Sequence, residues 1–400
     1  MTKTEQDRKA RARAAIEEQR DALLHLSHEV HDHPELALRE TFAAAETCAL
    51  LKRCGFEVRT NIGGLPTAFQ ATRQCGTGGP HIAFLAEYDA LPGIGHGCGH
   101  NVILTMAVGA FLGAAAAMDG LCGRISLIGT PGEESAAGKV LLLEQHVFDD
   151  VDFAMMIHPS SGRSLINRGG RACTEFRATY HGKSAHSSAP STGVNALSAV
   201  IALFNNIDLM RPTFAMQDNV NGIIPEGGKA SNIIPDLAVA DFTIRSKTLL
   251  ELKKLVENMK KAAQAAAALT GAELSVEVGP LYAERYPCLP MCEALRDNMQ
   301  TLGEKMDYAD PNGMYGSSDI GNVSILLPAI HDYLSIAPAA VNGHSAEMTA
   351  AAASPRADEV CIRGAQGMAM TALDLLASPE LCERCRAYHR DIVPAAYRQN

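Results

Sequence analysis

The sequence has no tryptophan and few other aromatic residues, with 11 Phe and 9 Tyr among its 400 residues. No aromatic stripe therefore marks an aryl-binding pocket. Basic residues are also outnumbered, because 35 Lys and Arg stand against 45 Asp and Glu and give a formal net charge of −10. A chain of this charge without a basic run repels a phosphate backbone, so we expect no nucleic-acid partner.

The sequence also lacks long uninterrupted apolar runs. No segment approaches the roughly 18 uninterrupted apolar residues that a membrane helix needs. The stretch 4–20 is charged and helix-forming, and it lacks the apolar core of a secretory signal. We therefore expect a soluble, cytoplasmic protein with no membrane partner.

The 11 cysteines are scattered along the chain rather than spaced as a disulfide framework. Without an export signal, they are interpreted as reduced thiols. Cys382 and Cys385 have C-x-x-C spacing, but no second pair accompanies them and the surrounding helix is polar in composition. A structural zinc site is not expected there.

A chain of 400 residues exceeds what one hydrophobic core usually organises, so two domains are expected. Short apolar runs at 81–86, 124–130 and 152–158 are bounded by Gly, Pro or Asp and predict buried strands. Alanine-rich segments at 102–118 and 136–146 between them have helical composition. This alternation predicts an α/β fold, with a sheet that carries helices on both faces.

The stretch from about 171 to 280 has a different order of predicted elements. Strand, helix, two strands, helix and strand follow one another, which is the ferredoxin-like β-α-β-β-α-β order. The sequence therefore predicts an α/β domain formed by 1–170 and 281–400, interrupted by an inserted ferredoxin-like α+β domain at 171–280.

Polar side chains follow three consecutive predicted strands. Cys98 and His100 come after the first strand, Glu133 and Glu134 after the second, and His158 ends the third. Ligands in an open α/β sheet bind beyond the carboxyl ends of the strands, so these side chains are expected to gather at one edge. Thiolate, imidazole and carboxylate together are a donor set for a divalent zinc, manganese or cobalt ion.

The adjacent Glu133 and Glu134 can have two different roles at such a site. One carboxylate can bind a metal ion while its neighbour accepts a proton from a water molecule whose pKa the metal lowers. Two ions about 3.5–4 Å apart would share that water. Either glutamate can instead stabilise the start of the following helix through the helix dipole.

Six motifs follow one another along the chain: A-E-Y-D-A-L-P-G-I-G-H-G-C-G-H-N, G-T-P-G-E-E, I-H-P, G-K-S-A-H-S-S-A-P, A-S-N-I-I-P-D and N-G-H-S. Together they resemble the M20 family of metallopeptidases and amidohydrolases. The nearest branch is that of aminoacylases, hippurate and auxin-conjugate hydrolases and p-aminobenzoyl-glutamate hydrolase. The resemblance spans about His31 to His344.

The resemblance implies a catalytic domain that holds divalent metal, two ions of Mn, Zn or Co per subunit, with Glu133 as the general base. It implies that the inserted domain is a lid that dimerises, and that the substrate is a small molecule with a carboxylate. The implied metal ligands are Cys98, His100, Glu134, His158 and His344.

On the lid, His186 matches a histidine that reaches the neighbouring subunit's active site and stabilises the oxyanion. Asn232 and Arg245 match lid positions that contact the amide and the carboxylate of the substrate. Asp319, in G-S-S-D, resembles a segment near the substrate and is either a pocket residue or a helix N-cap.

The chain departs from the family pattern at three places. More distant members carry His-x-Asp where this chain has Glu87-Tyr88-Asp89, so the implied ligand set shifts to Cys98 and His100. Asn101 stands where many members have Asp, which leaves the number and identity of the metal ions open. His96 has no role in the family pattern and is expected outside the ligand set.

The favoured hypothesis is a metal-dependent amidohydrolase that cleaves the amide bond of an N-acyl amino acid, an N-aroyl amino acid or a dipeptide. In this hypothesis Glu133 passes a proton to the leaving amine, and His186 with the metal stabilises the oxyanion. An alternative is an aromatic aminohydrolase that releases ammonia from an electron-poor aryl amine such as a nitroanthranilate. A third hypothesis, a catalytically silent small-molecule-binding protein, conflicts with the complete set of matching side chains.

Overall fold

The computed structural model describes residues 2–313 and 315–398 and divides into two compact units. The first unit is Met1–Gly170 with Arg285–Asn400, and the second is Arg171–Glu284. The second unit extends slightly beyond the expected end at 280. The reason is that Tyr282 pairs with Cys173 and Glu284 accepts a hydrogen bond from the backbone of Leu249, which keeps this stretch in the second unit.

Fourteen strands are numbered along the described chain. They are β1 (Val58–Thr60), β2 (Phe69–Cys75), β3 (His81–Ala86), β4 (Gly123–Gly129), β5 (Phe153–Ser161), β6 (Leu165–Ile166), β7 (Ala172–His181), β8 (Ala185–His186), β9 (Asn219–Glu226), β10 (Ile233–Ile234), β11 (Leu237–Ser246), β12 (Glu273–Val278), β13 (Asp307–Tyr308) and β14 (Ala329–Ala337).

Thirteen α-helices are numbered in the same way. They are α1 (Lys3–Glu18), α2 (Arg20–Asp32), α3 (Thr41–Arg53), α4 (His100–Ala117), α5 (Glu133–Ala136), α6 (Gly138–Glu144), α7 (Ala196–Met210), α8 (Leu249–Thr270), α9 (Leu289–Thr301), α10 (Ile320–Leu326), α11 (Ala346–Ala351), α12 (Pro355–Ala377) and α13 (Pro379–Ile392).

The first unit contains an eight-stranded mixed sheet in the order β1-β2-β4-β3-β5-β14-β6-β13. The three strands predicted from the apolar runs, β3, β4 and β5, are confirmed, and β3 lies between the other two. β3 runs parallel to both, and β14 is parallel to β5. The carboxyl ends of these four strands therefore meet at one edge of the sheet.

Both faces of β3 are buried, which explains its continuous apolar sequence. Ile82 and Phe84 pack into the core on one face, whereas Ala83 and Leu85 pack into the core on the other. The α/β prediction, with helices on both faces of the sheet, is thereby confirmed.

Helix α4 corrects the expectation that no segment is long and apolar enough to cross a membrane. Its 18 residues have a mean hydropathy of 1.5 and pass that test by length and composition. Within the described residues it is the one helix that does so, and 94% of the stretch is buried inside the protein. A helix that is apolar on all sides is expected in such a core position.

The predicted helix at 136–146 is interrupted. Ala137 adopts a left-handed backbone conformation with φ of 50° and separates α5 from α6. A Cβ on Gly138 would lie 1.7 Å from the carbonyl oxygen of Pro131, so only glycine fits at this turn. The break turns the start of α6 inward and buries Lys139 completely.

The second unit confirms the predicted ferredoxin-like order. Its antiparallel sheet has the strand order β12-β7-β11-β9, and helices α7 and α8 pack on it. A separate two-stranded ribbon is formed by β8 and β10.

The C-terminal helix α13 is less polar than its composition indicates. Cys382 and Cys385 are both buried on its inner face and belong to the hydrophobic core of the first unit. Neither belongs to a group of potential metal ligands in residues 2–313 or 315–398.

We predict that the loss of folding free energy at low pH depends on Glu304. This carboxylate binds Arg356 with both oxygens and Arg363 with one, at 2.6–2.8 Å. Burial raises the pKa of Glu304, but the hydrogen bonds from the two arginines outweigh it and lower the pKa below its ordinary value. The stabilisation is therefore present above about pH 4.5 and is lost as the pH falls through the folded-state pKa.

We expect Glu304→Gln to lower the free energy of unfolding at pH 7 by about 1–3 kcal/mol and to reduce its loss on acidification. Urea unfolding between pH 7 and pH 3.5 measures both effects. Glu359→Gln is the control, because Glu359 contacts the same arginines only at 3.4 and 3.5 Å and is half exposed. Equal effects of the two substitutions would contradict the assignment.

Candidate metal centre

Cys98 lies in the glycine-rich loop that joins β3 to α4, and His100 is the first residue of α4. Gly99 between them has a φ of 73°, a conformation that L side chains rarely adopt. A Cβ at this position would also lie 2.6 Å from Cγ of Pro159, next to His158. The glycine thus allows the loop to pass close to the end of β5, as expected from the strand order.

Asp89 fixes the orientation of His100. Its Oδ1 lies 3.0 Å from Nδ1 of His100, and its Oδ2 accepts a hydrogen bond of 2.9 Å from the backbone N–H of Glu134. A carboxylate that holds one ring nitrogen of a histidine leaves the other nitrogen for a metal. Asp89 therefore couples the two strand ends that supply His100 and Glu134.

Two groups of side chains in this unit can each hold a metal ion, and they share Cys98. Within each group the potential ligand atoms lie within 4.8 Å of one another. Nε2 of His100 lies 3.7 Å from Oε1 of Glu134, and Nε2 of His344 lies 3.8 Å from Oε2 of the same carboxylate. The first group is Cys98, His100 and His158, and the second is Cys98, Glu134 and His344.

The hydrogen bonding of these side chains fits divalent cations. Nε2 of His100 and Oε1 of Glu134 are buried and have no hydrogen-bond partner among the described residues. Buried polar atoms are normally paired, because leaving them unpaired costs free energy. Imidazole, thiolate and carboxylate converging on one point are the donors that zinc and related ions prefer.

The two histidines of the first group differ in proton affinity, and a metal ion on Nε2 of His100 would have to displace a proton because the pKa of this ring is raised. Burial lowers the pKa of His158 well below its ordinary value, and the charge of His100 lowers it further. For His100, burial also lowers the pKa, but Asp89 outweighs it and raises the value well above normal. Burial raises the pKa of the Cys98 thiol, which favours its protonated form, and a bound cation would favour the thiolate.

His344 is the most exposed of the implied ligands. Its side chain is 56% exposed, and its backbone has a φ of 58°, which is uncommon for a residue other than glycine. Its backbone N–H donates to the carbonyl oxygen of Gly97 at 3.0 Å. The loop that carries Cys98 therefore holds the backbone of His344 in this unusual conformation.

Glu133 lies at the start of α5, next to Glu134, and is buried. Burial raises its pKa well above the ordinary value, and the nearby carboxylates of Glu87, Glu134 and Asp319 raise it further. Glu133 also forms a third group of potential ligands with Glu87 and His100. A carboxyl group with such a high proton affinity beside a metal site is suited to general base and acid chemistry.

Lys139 was not identified from the sequence, although it is fully buried beside this site. Its Nζ lies 2.5 Å from Oε1 of Glu87 and 2.7 Å from Oδ1 of Asp319. Its backbone N–H donates to Oδ2 of Asp319 at 2.9 Å. The other oxygen of Glu87 has no hydrogen-bond partner among the described residues and lies 3.4 Å from Nε2 of His100.

Asp319 is therefore not a helix N-cap by its side chain. It precedes α10, but its side chain makes no capping hydrogen bond, because Lys139 occupies both oxygens. Its alternative role as a substrate-binding residue stays a prediction.

His96 and Asn101 belong to none of the three ligand groups found among the described residues. The His96 ring is buried and stacks near His31, and burial together with the charge of His100 lowers its pKa to about 3. The Asn101 amide donates to Ser27 and Ala352, so its side chain bonds the loop to neighbouring elements.

The three implied lid residues belong to the second unit. His186 is exposed, and its Nδ1 accepts from the backbone N–H of Ser188 at 3.1 Å. Asn232 lies nearby, because its carbonyl oxygen accepts from the N–H of Ser187. Arg245 is half-buried in β11, opposite Cys173. The roles of these three residues stay predictions.

Two signals in the sequence point to the residues that were missed. Glu87 and Asp89 are two positions apart directly after a buried strand, so an extended chain would direct both side chains to the same face of the sheet. Lys139 is a lone charge within the apolar run 135–143, which indicates a buried charge that needs a partner.

The fold and the site define a hydrolase with an α/β catalytic domain and an inserted α+β domain, and comparisons with known proteins agree. The family profile described as "Peptidase dimerisation domain" (M20_dimer) matches residues 169–270. The Xaa-Arg dipeptidase of Mus musculus is 35% identical over 395 residues, covering 94% of this chain and 91% of that protein. A chain of the p-aminobenzoyl-glutamate hydrolase of Escherichia coli (strain K12) is 31% identical over 284 residues, covering 66% of this chain and 58% of that one.

Solved structures share the fold at lower sequence identity. The aminobenzoyl-glutamate utilization protein from Klebsiella pneumoniae has a TM-score of 0.72 at 20% identity, covering 89% of this chain and 96% of that one. A dinuclear metal binding peptidase from the M20 family of Bacillus subtilis has a TM-score of 0.63 at 20% identity, covering 90% and 99%. The chain belongs to the M20 family of metallopeptidases and amidohydrolases, as its motifs indicated.

Replacing Lys139 is predicted to destabilise the first unit strongly. Lys139→Met leaves the buried carboxylates of Glu87 and Asp319 without their cation, which is expected to cost about 3–5 kcal/mol. Urea unfolding of the metal-free protein measures this cost. The control is Lys305→Met, since Lys305 is exposed and its ion pair with Asp307 contributes little. A loss no larger than in the control would show that the buried ion pairs are dispensable.

Proposed function

We propose that this protein is a metal-dependent amidohydrolase that cleaves the amide C–N bond of an N-acyl amino acid, an N-aroyl amino acid or a dipeptide. The observation that carries the proposal is the pair of ligand groups sharing Cys98, with the buried Glu133 beside them. Relatives named Xaa-Arg dipeptidase, N-acetyl-L-cysteine deacetylase and indole-3-acetyl-aspartic acid hydrolase support this class of bond. Because the relatives are enzymes, a catalytically silent binding protein is not supported.

The proposed cofactor is a pair of divalent ions, Mn, Zn or Co. Cys98, His100 and His158 would hold one ion, and Cys98, Glu134 and His344 the other. The ions supply Lewis acidity, which polarises the scissile carbonyl and lowers the pKa of the attacking water. The crowding of acidic groups supports two ions, since five carboxylates lie at this site and its buried Lys139 forms ion pairs with two of them. The five carboxylates are Glu87, Asp89, Glu133, Glu134 and Asp319.

Glu133 moves the proton in this proposal. Its carboxylate takes a proton from the attacking water and then donates it to the nitrogen of the leaving amine. Glu133 is buried beside the ligand groups, and this position lets it hold the proton between these two steps. Asp89 keeps the His100 ring in place throughout.

The second unit is proposed to act as a lid. His186 would stabilise the oxyanion in a neighbouring subunit, and Asn232 with Arg245 would bind the amide and the carboxylate of a small-molecule substrate. The exposed position of His186 is compatible with a reach beyond its own unit. The cytoplasmic location of the protein also stays a prediction.

A homodimer is proposed from the second unit. β9 is an edge strand of the four-stranded sheet, and its Ile223 and Ile224 are 65% and 43% exposed. An exposed apolar edge strand is a template for pairing with a second chain. The match to a peptidase dimerisation domain supports this assignment.

The dimer is tested by Ile224→Lys, which places a charge on the edge strand. We expect a monomer in light scattering at a concentration where the unmodified protein is a dimer. Leu269→Lys is the control, because Leu269 is 79% exposed at the end of α8 and away from this edge. A dimer that survives the first substitution would place the interface elsewhere.

The base assignment is tested by Glu133→Gln. This change keeps the shape of the side chain but removes the proton acceptor, so kcat is expected to fall by about 10²–10⁴-fold. Metal content measured by mass spectrometry is expected to stay unchanged. Glu134→Gln is the matched control and is expected to reduce metal content as well as activity.

The assay uses protein reconstituted with Mn²⁺ or Zn²⁺ and a panel of N-acyl amino acids, dipeptides and electron-poor anilines. Release of an amino acid supports the amidohydrolase. Release of ammonia with a hydroxylated ring would make the aromatic aminohydrolase the correct alternative. Retained activity in Glu133→Gln would remove the base assignment.

A further inference from the structure

A cluster of hydrogen-bond donors lies beside His158 in the first unit. His331 and Tyr333 project from β14, the parallel neighbour of β5. The ring centroids of both residues lie 5.4 Å from that of His158. The cluster therefore adjoins a side chain of the first ligand group.

Arg285 determines where the protons of this cluster lie. Its Nη1 donates to Nδ1 of His331 at 2.5 Å and to Oη of Tyr333 at 2.6 Å. Because Nδ1 of His331 accepts this bond, the ring carries its proton on Nε2. That nitrogen is buried and has no partner in the described part of the chain. The Tyr333 hydroxyl accepts from Arg285, so its own proton remains available for donation.

Arg168 is a second cation without an anionic partner. Its guanidinium lies over the Tyr333 ring at 4.1 Å and over the Tyr315 ring at 4.8 Å. Within residues 2–313 and 315–398 no carboxylate pairs with it, and its buried Nε has no hydrogen-bond acceptor. Aromatic faces hold an arginine in place but leave its fork of N–H donors unused.

The one carboxylate on the same stretch of β14 points away. Asp332 lies between His331 and Tyr333, so the alternation of a strand directs it to the opposite face. There its Oδ1 accepts from the backbone N–H of Asn167 and from the Cys292 thiol.

Arg285 also donates to the backbone carbonyls of Gly169 and Gly316. Nε of Arg168 and Nε2 of His331 have no partner among the described residues, and a carboxylate is the ligand that would pair with such donors and positive charge.

We propose that Arg168, Tyr333 and His331 form a carboxylate-binding subsite in the first unit, in addition to the contact predicted for Arg245. The identification of this carboxylate as part of an amide substrate rests on the proposed function. The binding of a carboxylate at this subsite does not depend on that function. The subsite predicts a substrate with a carboxylate within reach of His158, either the α-carboxylate or an acidic side chain of the amino acid.

Kinetics on three related amides distinguish these two sources. The first substrate is N-benzoylglutamate, which has both carboxylates. The second is N-benzoylglutamine, which lacks the side-chain carboxylate, and the third is N-benzoylisoglutamine, which lacks the α-carboxylate. We expect Arg168→Met to reduce kcat/KM for N-benzoylglutamate by about 10–100-fold, mainly through KM, because a charge-assisted hydrogen bond is lost. The analogue that already lacks the bound carboxylate is expected to be unaffected.

Two further variants control this experiment. Arg168→Lys keeps a positive charge and is expected to recover part of the loss for N-benzoylglutamate. Arg163→Met removes an exposed arginine from the neighbouring segment and is expected to change none of the three substrates. An equal loss on all three amides in Arg168→Met would overturn the subsite.

Binding without turnover separates this inference from the proposed function. Calorimetric titration of the Mn²⁺-reconstituted protein with glutarate is expected to show affinity at least about tenfold weaker in Arg168→Met than in the wild type or in Arg163→Met. If the wild type hydrolyses no amide but this difference appears, the proposed function fails and the subsite stands. Equal glutarate affinity in all three proteins would overturn the subsite whatever the activity.

Discussion

The mutual repulsion of buried carboxylates is the constraint on which the rest of this site depends. Glu87, Asp89, Glu133 and Glu134 lie around His100 at the edge of the sheet, and the buried Lys139 forms ion pairs with Glu87 and with Asp319. Burying so much like charge is costly unless cations compensate it. Lys139 neutralises one side of the cluster, and the proposed metal ions neutralise the other.

The fold concentrates these groups because four parallel strand ends meet at one edge. β3, β4 and β5 deliver their side chains from neighbouring positions, and the segment after β14 adds His344. Asp89 then joins the end of β3 to the start of α5, and Gly99 lets the loop approach β5. The ring of His158 lies 5.9 Å from that of His100 in the acidic cluster and 5.4 Å from those of His331 and Tyr333 in the donor cluster. The residues around His158 therefore include groups that suit cations and groups that suit an anion.

The sequence predicted the central strands and the inserted domain, because apolar runs are local signals. It also predicted that four side chains come together, because their strand-end positions can be read locally; these are Cys98, His100, Glu134 and His158. The buried ion pairs of Lys139 were not predictable, since they depend on the backbone break at Ala137 and on Asp319 from a distant segment. The donor cluster also escaped sequence reasoning, because the protons of His331 and Tyr333 are placed by Arg285 across the fold. The roles of His186 and Arg245 depend on the lid and on a second chain, so they stay predictions.

Anomalous X-ray diffraction from crystals of the Mn²⁺- or Zn²⁺-reconstituted protein tests the central claim most directly. The account predicts two anomalous peaks per chain, both adjacent to the sulfur of Cys98, with one next to His100 and His158 and the other next to Glu134 and His344. A single ion bound away from Cys98, or no ion at this edge of the sheet, would contradict it.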